Sequence, residues 1–218
     1  PMGFYSASQL VQDARRHGVR VLPIDVTCSD NECTLEGPAE RLRPARGLPT
    51  PLLPQPAVRL GLCLVSGLHA SAMQRLLQAR AAGLFNSTED LALRAQLSPQ
   101  DLQALAAADA LASLSGHRRQ QMWDAAAQHS APPLWREVPV HEAPLVLPAA
   151  PEGEEILFDY AATGLTLRRH PLALLRPRLA RWRLLTALQL HSAPNGRKVR
   201  ACGIVTVRQR PGTAKGTM

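Results

Sequence analysis

The sequence predicts a mainly α fold with small β parts, and three observations carry that expectation. Hydrophobic residues make up 45% of the 218 residues but aromatic residues only 4%, so the core must be built from Leu, Ala and Val, which suits small helical units. From 64 to 127 the apolar period is helical: Met73, Leu76 and Leu77 form one stripe, and Leu102, Leu105 and Ala106 another. On either side lie short Val- and Ile-rich runs with strand character. The length accommodates one large domain or two to three small ones. No apolar run approaches the roughly 20 residues a membrane span needs, so a soluble, cytoplasmic chain is expected.

Residues 6–18, SASQLVQDARRHG, read as a helix. Ser6 and Gln9 make a capping box, Leu10, Val11 and Ala14 an apolar stripe, and Gly18 a left-handed stop. VRVLPIDV at 19–26 is strand-like, with Pro23 confining it to an edge or bulge, and CTLE at 33–36 reads as a short return strand. Residues 37–56 hold six prolines and no usable period, which reads as a loop or insertion. AVRLGL at 57–62 returns to strand character and can join the earlier strands in a small sheet.

Within the helical block, Ser87 with Asp90 and Ser98 with Asp101 are two capping-box starts, and Pro99 sits at a favoured first helical position. Residues 128–153 are Pro-rich and linker-like. EEILFDYAATG predicts a helix ending at Gly164, and HPLALLRPRLARW a helix starting at Pro171 that Pro177 should break or kink. KVRACGIVTVRQR supplies the last strands; its apolar Ile204, Val205 and Val207 are followed by a turn and no second strand. An unpaired final strand is not expected to close a whole domain.

The stretch LCLVSGLHASAMQRLLQAR (62–80) has the layout of a helix-hairpin-helix: an apolar element, a tight turn at Val65, Ser66, Gly67 and Leu68, and a helix directly after it. In such a turn the backbone amides and the following helix N-terminus point at one phosphate. Gly67 permits close approach, and Arg75 and Arg80 are expected to add charge along the nucleic-acid strand. His69 stands where a second glycine is usual, and can cap the helix or contact phosphate itself. A turn of this kind contacts the phosphate backbone, so binding is expected to be independent of sequence. The second unit, around Leu97-Ser98-Pro99, has no glycine and reads as structural.

The formal net charge is +8 and the pI about 10.3, which favours a polyanionic partner. The charge is segregated: no acidic residue follows Asp159, whereas Arg168, Arg169, Arg176, Arg178, Arg181, Arg183, Arg197, Lys198, Arg200, Arg208, Arg210 and Lys215 do. The stretch before it is acidic, with Glu137, Glu142, Glu152, Glu154, Glu155 and Asp159. Two readings of the basic tail are open, a face for nucleic acid and a merely solvated face; the segregation favours the first.

Cys28, Cys33, Cys63 and Cys202 contain no C-x-x-C pair, and nothing completes a zinc half-site at Cys28 and Cys33, so no metal site and reduced thiols are expected. No paired aspartates, phosphate-binding loop or nucleophile frame marks an active site, and no catalytic residue is assigned.

Five stretches, in order, resemble one family: PMGFYSASQLVQDARRHGVRVLPIDV (1–26), VRLGLCLVSGL (58–68), LAAADALASLSGHRRQQMW (105–123), DYAATGLTLRRHPLALLRP (159–177) and RACGIVTVRQRPGTAKG (200–216). They are similar to the error-prone paralogue of the DNA polymerase III alpha subunit, the bacterial C-family polymerase of the damage-induced mutasome. The resemblance implies the end of the fingers region over 1–56, a tandem helix-hairpin-helix domain over 57–127, a linker over 128–158, connecting helices over 159–197 and the first strands of an incomplete OB fold over 198–218. It also implies template-directed nucleotide addition, Mg2+-dependent, for the parent protein, with the metal-binding aspartates in a palm upstream; this chain alone is then inactive and holds no cofactor.

By the same resemblance Val65 to His69 match the duplex-binding turn, and Arg200, Arg208, Arg210 and Lys215 fall where single-stranded template is held. The implied partners are duplex and single-stranded DNA and mutasome proteins. The linker lacks a sliding-clamp peptide, so the clamp would be reached through a partner, and ILFDY (156–160) has the spacing of a core helix. Two rival roles stand beside this one: a free-standing helix-hairpin-helix module, and a protein-interaction scaffold recruited through the acidic linker.

Overall fold

The computed structural model describes residues 4–40, 55–128 and 145–205. The chain divides after Arg168 into two compact units.

The first unit opens with helix α1 (Ala7–Arg16), started by the Ser6–Gln9 capping box and ended before Gly18, whose φ is +86°. Three strands follow, β1 (Val21–Leu22), β2 (Thr34–Glu40) and β3 (Gln55–Arg59), arranged in the order β1-β3-β2. β1 pairs parallel with β3, Val21 opposite Val58, and β2 pairs antiparallel with it, Thr34 opposite Arg59. β1 is a short edge strand that stops before Pro23, as a residue without an N–H donor requires.

Two sequence expectations change here. The Pro-rich stretch 37–56 is strand at both ends, because β2 runs to Glu40 and β3 begins at Gln55; its middle lies outside the described residues. The boundary expected between 56 and 57 falls inside β3, so the sheet and the helical block form one body. Arg59 fixes the sheet by two bonds of 2.9 Å to the Glu36 carboxylate across the β2–β3 pair. The Arg59 guanidinium holds the Glu36 carboxyl below its usual range.

After β3 a single 3-10 turn (Leu62–Leu64) leads into α2 (Ala70–Ala81), α3 (Thr88–Arg94), α4 (Pro99–Ala107), α5 (Ala112–Ser115), α6 (Arg118–Ala127) and, later, α7 (Glu152–Thr163). One core joins them to the sheet: Ile24, Val26 and Leu60 pack with Leu62, Leu76, Leu91, Leu102, Leu105 and Leu111. Burying a side chain of that size contributes about 1.5–3 kcal/mol each. Gly61 sits where β3 meets the loop before β2, and a Cβ there would stand 2.4 Å from the Glu32 carbonyl carbon. Only glycine fits that approach.

α7 begins within the expected linker and continues past 158, ending at Gly164 with φ +72°. The second unit holds α8 (Pro171–Arg181) and α9 (Ala187–His191). α8 runs through Pro177, so the expected break does not occur; Pro177 lacks the amide that would bond back one turn. The strands expected over 198–210 reduce, in the described part, to one parallel bridge between Leu185 and Ala201, with the rest outside the described residues.

Candidate nucleic-acid interface

The first hairpin is built by β3, the 3-10 turn and α2, so the element before the turn is not an α-helix. Gly67 has φ +82°, a conformation that residues with a Cβ adopt only under strain. Val65 is buried and Leu68 half-buried, and both pack on the core, while Ser66, Gly67 and His69 face solvent. The hairpin is thus pinned by its apolar residues and presents its small and polar ones.

Its backbone donors are only partly available. The Ser66 amide donates to the Ala162 carbonyl of α7 at 2.8 Å, and the Leu68 amide closes the turn on Val65 at 3.4 Å. α2 has no side-chain cap, and the amides of Gly67, Ala70 and Ser71 have no hydrogen-bond partner in the described structure. Those of Ala70 and Ser71 are the ordinary orphan donors of a helix start, Gly67 belongs to the turn before it, and all three residues are exposed.

The second hairpin, between α3 and α4, is closed instead. Gln96 takes φ +49° in its turn, and α4 starts with a complete capping box in which Ser98 and Asp101 satisfy each other's backbone amides. Ser87 caps α3 by accepting from the Asp90 amide, but the Asp90 carboxylate turns back to the Asn86 amide at 3.0 Å, so that expected box is half formed. Asp101 also reaches the first hairpin: its Oδ1 lies 2.9 Å from His69 Nδ1 and 3.5 Å from the His69 amide. Burial works against the charge of Asp101, but hydrogen bonds from Ser98 and His69 outweigh it and hold the carboxyl below its usual range.

Arg75 and Arg80, expected along a phosphate strand, are engaged within the protein. Arg75 donates to the carbonyls of Ala95 and Gln96 at 3.0 and 3.1 Å, across the second hairpin. Arg80 donates to the carbonyls of Val26 and Ser29, binding α2 to the loop after β1. Arg94 does the same at the end of α2, with Gly83 and Leu84 carbonyls at 2.7 and 2.8 Å. Carbonyls left open at helix ends and turns are the physical reason: they attract a guanidinium as a phosphate would.

Two acids of the acidic stretch are also engaged within the protein; Glu137 and Glu142 lie outside the described residues. Arg118, on α6, is 2% exposed and pairs with Glu155 at 2.9 Å and with Asp159, both on α7. Arg168 bonds Asp109 and Glu155, each at 2.9 Å, and approaches Asp159 at 3.3 Å. Glu155 and Asp159 therefore fasten α7 to α6, and Arg168 leaves the basic tail. The three converging carboxylates are held by guanidinium groups, and among the described residues no cluster of His, Cys, Asp or Glu could hold a metal ion. The four cysteines are free.

The second unit keeps most of its described cations at the surface, although Arg176 is half-buried. Arg178, Arg181, Arg183, Arg197, Lys198 and Arg200 are exposed. Arg208, Arg210 and Lys215 lie outside the described residues. No described helix is long and apolar enough to cross a membrane.

Residues 18–121 match the family model of the helix-hairpin-helix motif. Along its full length the chain is 54% identical to the error-prone DNA polymerase of Ralstonia nicotianae, 52% identical to that of Bordetella parapertussis and 50% identical to that of Methylococcus capsulatus. It spans only about one-fifth of those relatives, 20% of the first two and 21% of the third. Matched from end to end by sequences of one name, the chain is similar to about one-fifth of the length of error-prone DNA polymerases.

Proposed function

We propose that this chain is the part of an error-prone DNA polymerase that grips primer-template DNA through its phosphates, without sequence preference. The observation that carries the reading is the first hairpin. An exposed turn with Gly67 at φ +82° leads into a helix whose leading amides are unpaired, inside the region that matches the helix-hairpin-helix motif. The exposed cations of the second unit supply the sequence-independent attraction. Nucleotide addition, with its Mg2+ and palm carboxylates, belongs to the remainder of the parent protein, so this chain alone has no polymerase activity. The parent acts in damage-induced mutagenesis and translesion synthesis in the cytoplasm, alongside mutasome proteins through which the clamp is reached. The scaffold reading would rest on the remaining acids of the linker, because Glu155 and Asp159 are engaged by Arg118 and Arg168.

The test is fluorescence anisotropy of a labelled duplex with a single-stranded overhang, over a range of salt concentrations and several sequences. Binding with a clear salt slope and equal affinity across sequences is the expected result. No binding at low salt would overturn the proposal.

A further inference from the structure

The sequence holds three asparagines, Asn31, Asn86 and Asn195, and the fold leaves the third in a different state from the others. Asn31 lies in the loop before β2, where its carbonyl accepts from the Cys63 amide at 2.9 Å and its own amide donates to the Asp30 carboxylate at 2.8 Å. Asn86 stands before α3, its amide bonded to the Asp90 carboxylate at 3.0 Å. Each is followed by a residue with a Cβ, Glu32 and Ser87. Asn195 is followed by Gly196, and both are exposed. They are the central residues of a turn that the Arg197 amide closes on the Pro194 carbonyl at 3.3 Å, with Gly196 at φ +78°. Among the described residues nothing bonds the Asn195 side-chain amide, and the Gly196 amide makes no backbone hydrogen bond. A Cβ built at Gly196 would meet nothing within 4 Å, so the space around the turn is open.

The side-chain carbonyl carbon of an asparagine lies within reach of the next main-chain nitrogen, which can attack it and close a cyclic imide. Two things oppose the attack. A Cβ on the following residue crowds the approach, and hydrogen bonds that fix the peptide prevent the rotation that brings nitrogen and Cγ together. Glycine removes the first obstacle. A single turn bond at the long end of the normal range leaves the second one weak. Asn31 and Asn86 meet both obstacles, and Asn195 meets neither in strength.

We propose that Asn195 is a site of spontaneous deamidation, and that the change places an acidic residue within the basic surface of the second unit. The Gly196 nitrogen forms a bond to Asn195 Cγ and gives up its proton, the Cγ–Nδ2 bond breaks, and ammonia leaves. Water then opens the imide, on one side to aspartate and on the other to isoaspartate, in which the main chain runs through Cγ. Water is consumed and ammonia released in equal amount, and no oxidant, reductant or cofactor enters. Either product carries a carboxylate. Asp159 is otherwise the last acidic residue of the sequence, and the exposed Arg197, Lys198 and Arg200 follow Asn195 closely. A negative charge among them offsets part of their attraction for a polyanion. That consequence rests on the DNA-gripping reading; the chemical step does not.

The test ages the full chain in warm, mildly alkaline buffer and maps it by mass spectrometry, where exchange of NH2 for OH adds about 1 Da. The tryptic fragment 184–197, whose only asparagine is Asn195, is expected to gain that mass and to separate into two products. One of them should accept a methyl group from an isoaspartyl methyltransferase. The fragments that contain Asn31 and Asn86 should keep their mass, and N195Q, which would have to close a larger ring, should age without change in 184–197. No mass gain in 184–197, or an equal gain at all three asparagines, would overturn the proposal. A second measurement takes N195D as the aspartate product, with a labelled duplex carrying a single-stranded overhang. It should bind about two- to three-fold more weakly than the wild type at low salt, with the same melting temperature. Equal affinities would overturn the charge consequence while leaving the DNA-gripping reading intact. Absence of DNA binding by the wild type would instead remove that reading and the charge consequence together, and the mass gain would still decide the chemical step.

Discussion

His69 in the first hairpin and Asp101 at the start of α4 are joined by a 2.9 Å bond between imidazole Nδ1 and carboxylate Oδ1. The Asp101 side chain is 4% exposed and the His69 side chain 64%, so the bond runs from the core to the surface. With the second carboxylate oxygen Asp101 accepts from Ser98, so one residue closes the second hairpin and orients the first. The pairing gives the two hairpins different tasks. The second is sealed by its own side chains, and the first is left with open amides.

Asp101→Asn should reduce stability by about 1–3 kcal/mol, the cost of a buried hydrogen-bonded group losing its charge-assisted partners. The pH dependence has a definite sign. The folded Asp101 carboxyl titrates below its ordinary value of 3.8. Its stabilisation is therefore complete above that value and disappears as pH falls through the folded value. Urea midpoints measured from about pH 6 down to about pH 2 should fall for the wild type, and the Asn variant should lack this contribution.

Arg118→Ala should be the most damaging single change in the first unit. It leaves Glu155 and Asp159, 7% and 13% exposed in their side chains, short of their buried cation. Breaking a buried pair from one side costs about 3–5 kcal/mol. The neighbouring pair Arg119–Glu154, at 3.2 Å, is 41% and 42% exposed, so Arg119→Ala should cost less than about 1 kcal/mol. Chemical denaturation of both variants checks the contrast; equal losses would contradict the assignment.

The signals that were legible in the sequence were local. The Ser6–Gln9 and Ser98–Asp101 boxes and the stops at Gly18 and Gly164 hold as read, because each depends on residues within four positions of one another. What the sequence hid was long-range: Arg75, Arg80 and Arg168 look like free cations, yet meet partners 13 to 59 residues away. An arginine that binds a carbonyl or buried carboxylate has the same local sequence as one that binds phosphate. The period of 156–160 placed α7 among the packed helices, but could not tell that its acids face Arg118.

The two glycines beside the first hairpin should fail for different reasons. At Gly61 the backbone angle is ordinary, but an added Cβ meets backbone at 2.4 to 2.7 Å, so Gly61→Ala should cost about 1–3 kcal/mol through displacement of the 31–33 loop. At Gly67 there is room, with only Ala104 Cβ at 4.0 Å, and the obstacle is φ +82°. Gly67→Ala should therefore cost about 1–2 kcal/mol. Gly67→Asp should cost a similar amount of stability, yet weaken duplex binding beyond the Ala variant by adding a carboxylate at the phosphate position. Matched melting curves with unequal affinities are the expected pattern; equal affinities would remove the hairpin from the interface.

The arginines themselves separate the two kinds of cation. Arg75→Ala and Arg80→Ala withdraw donors from carbonyls at 2.6 to 3.1 Å, so each should lower stability by about 1–3 kcal/mol. Neither should alter the salt slope of DNA binding, because neither guanidinium is released to meet a phosphate. Arg197, Lys198 and Arg200 are exposed and make no ion pair among the described residues. Replacing them with Ala should leave the urea midpoint unchanged and reduce the slope of log affinity against log salt by about 0.7–0.9 for each phosphate no longer neutralised. If the slope instead followed Arg75 and Arg80, the hairpin block would hold the phosphate-binding cations and the exposed charges of the second unit would be only a solvated face.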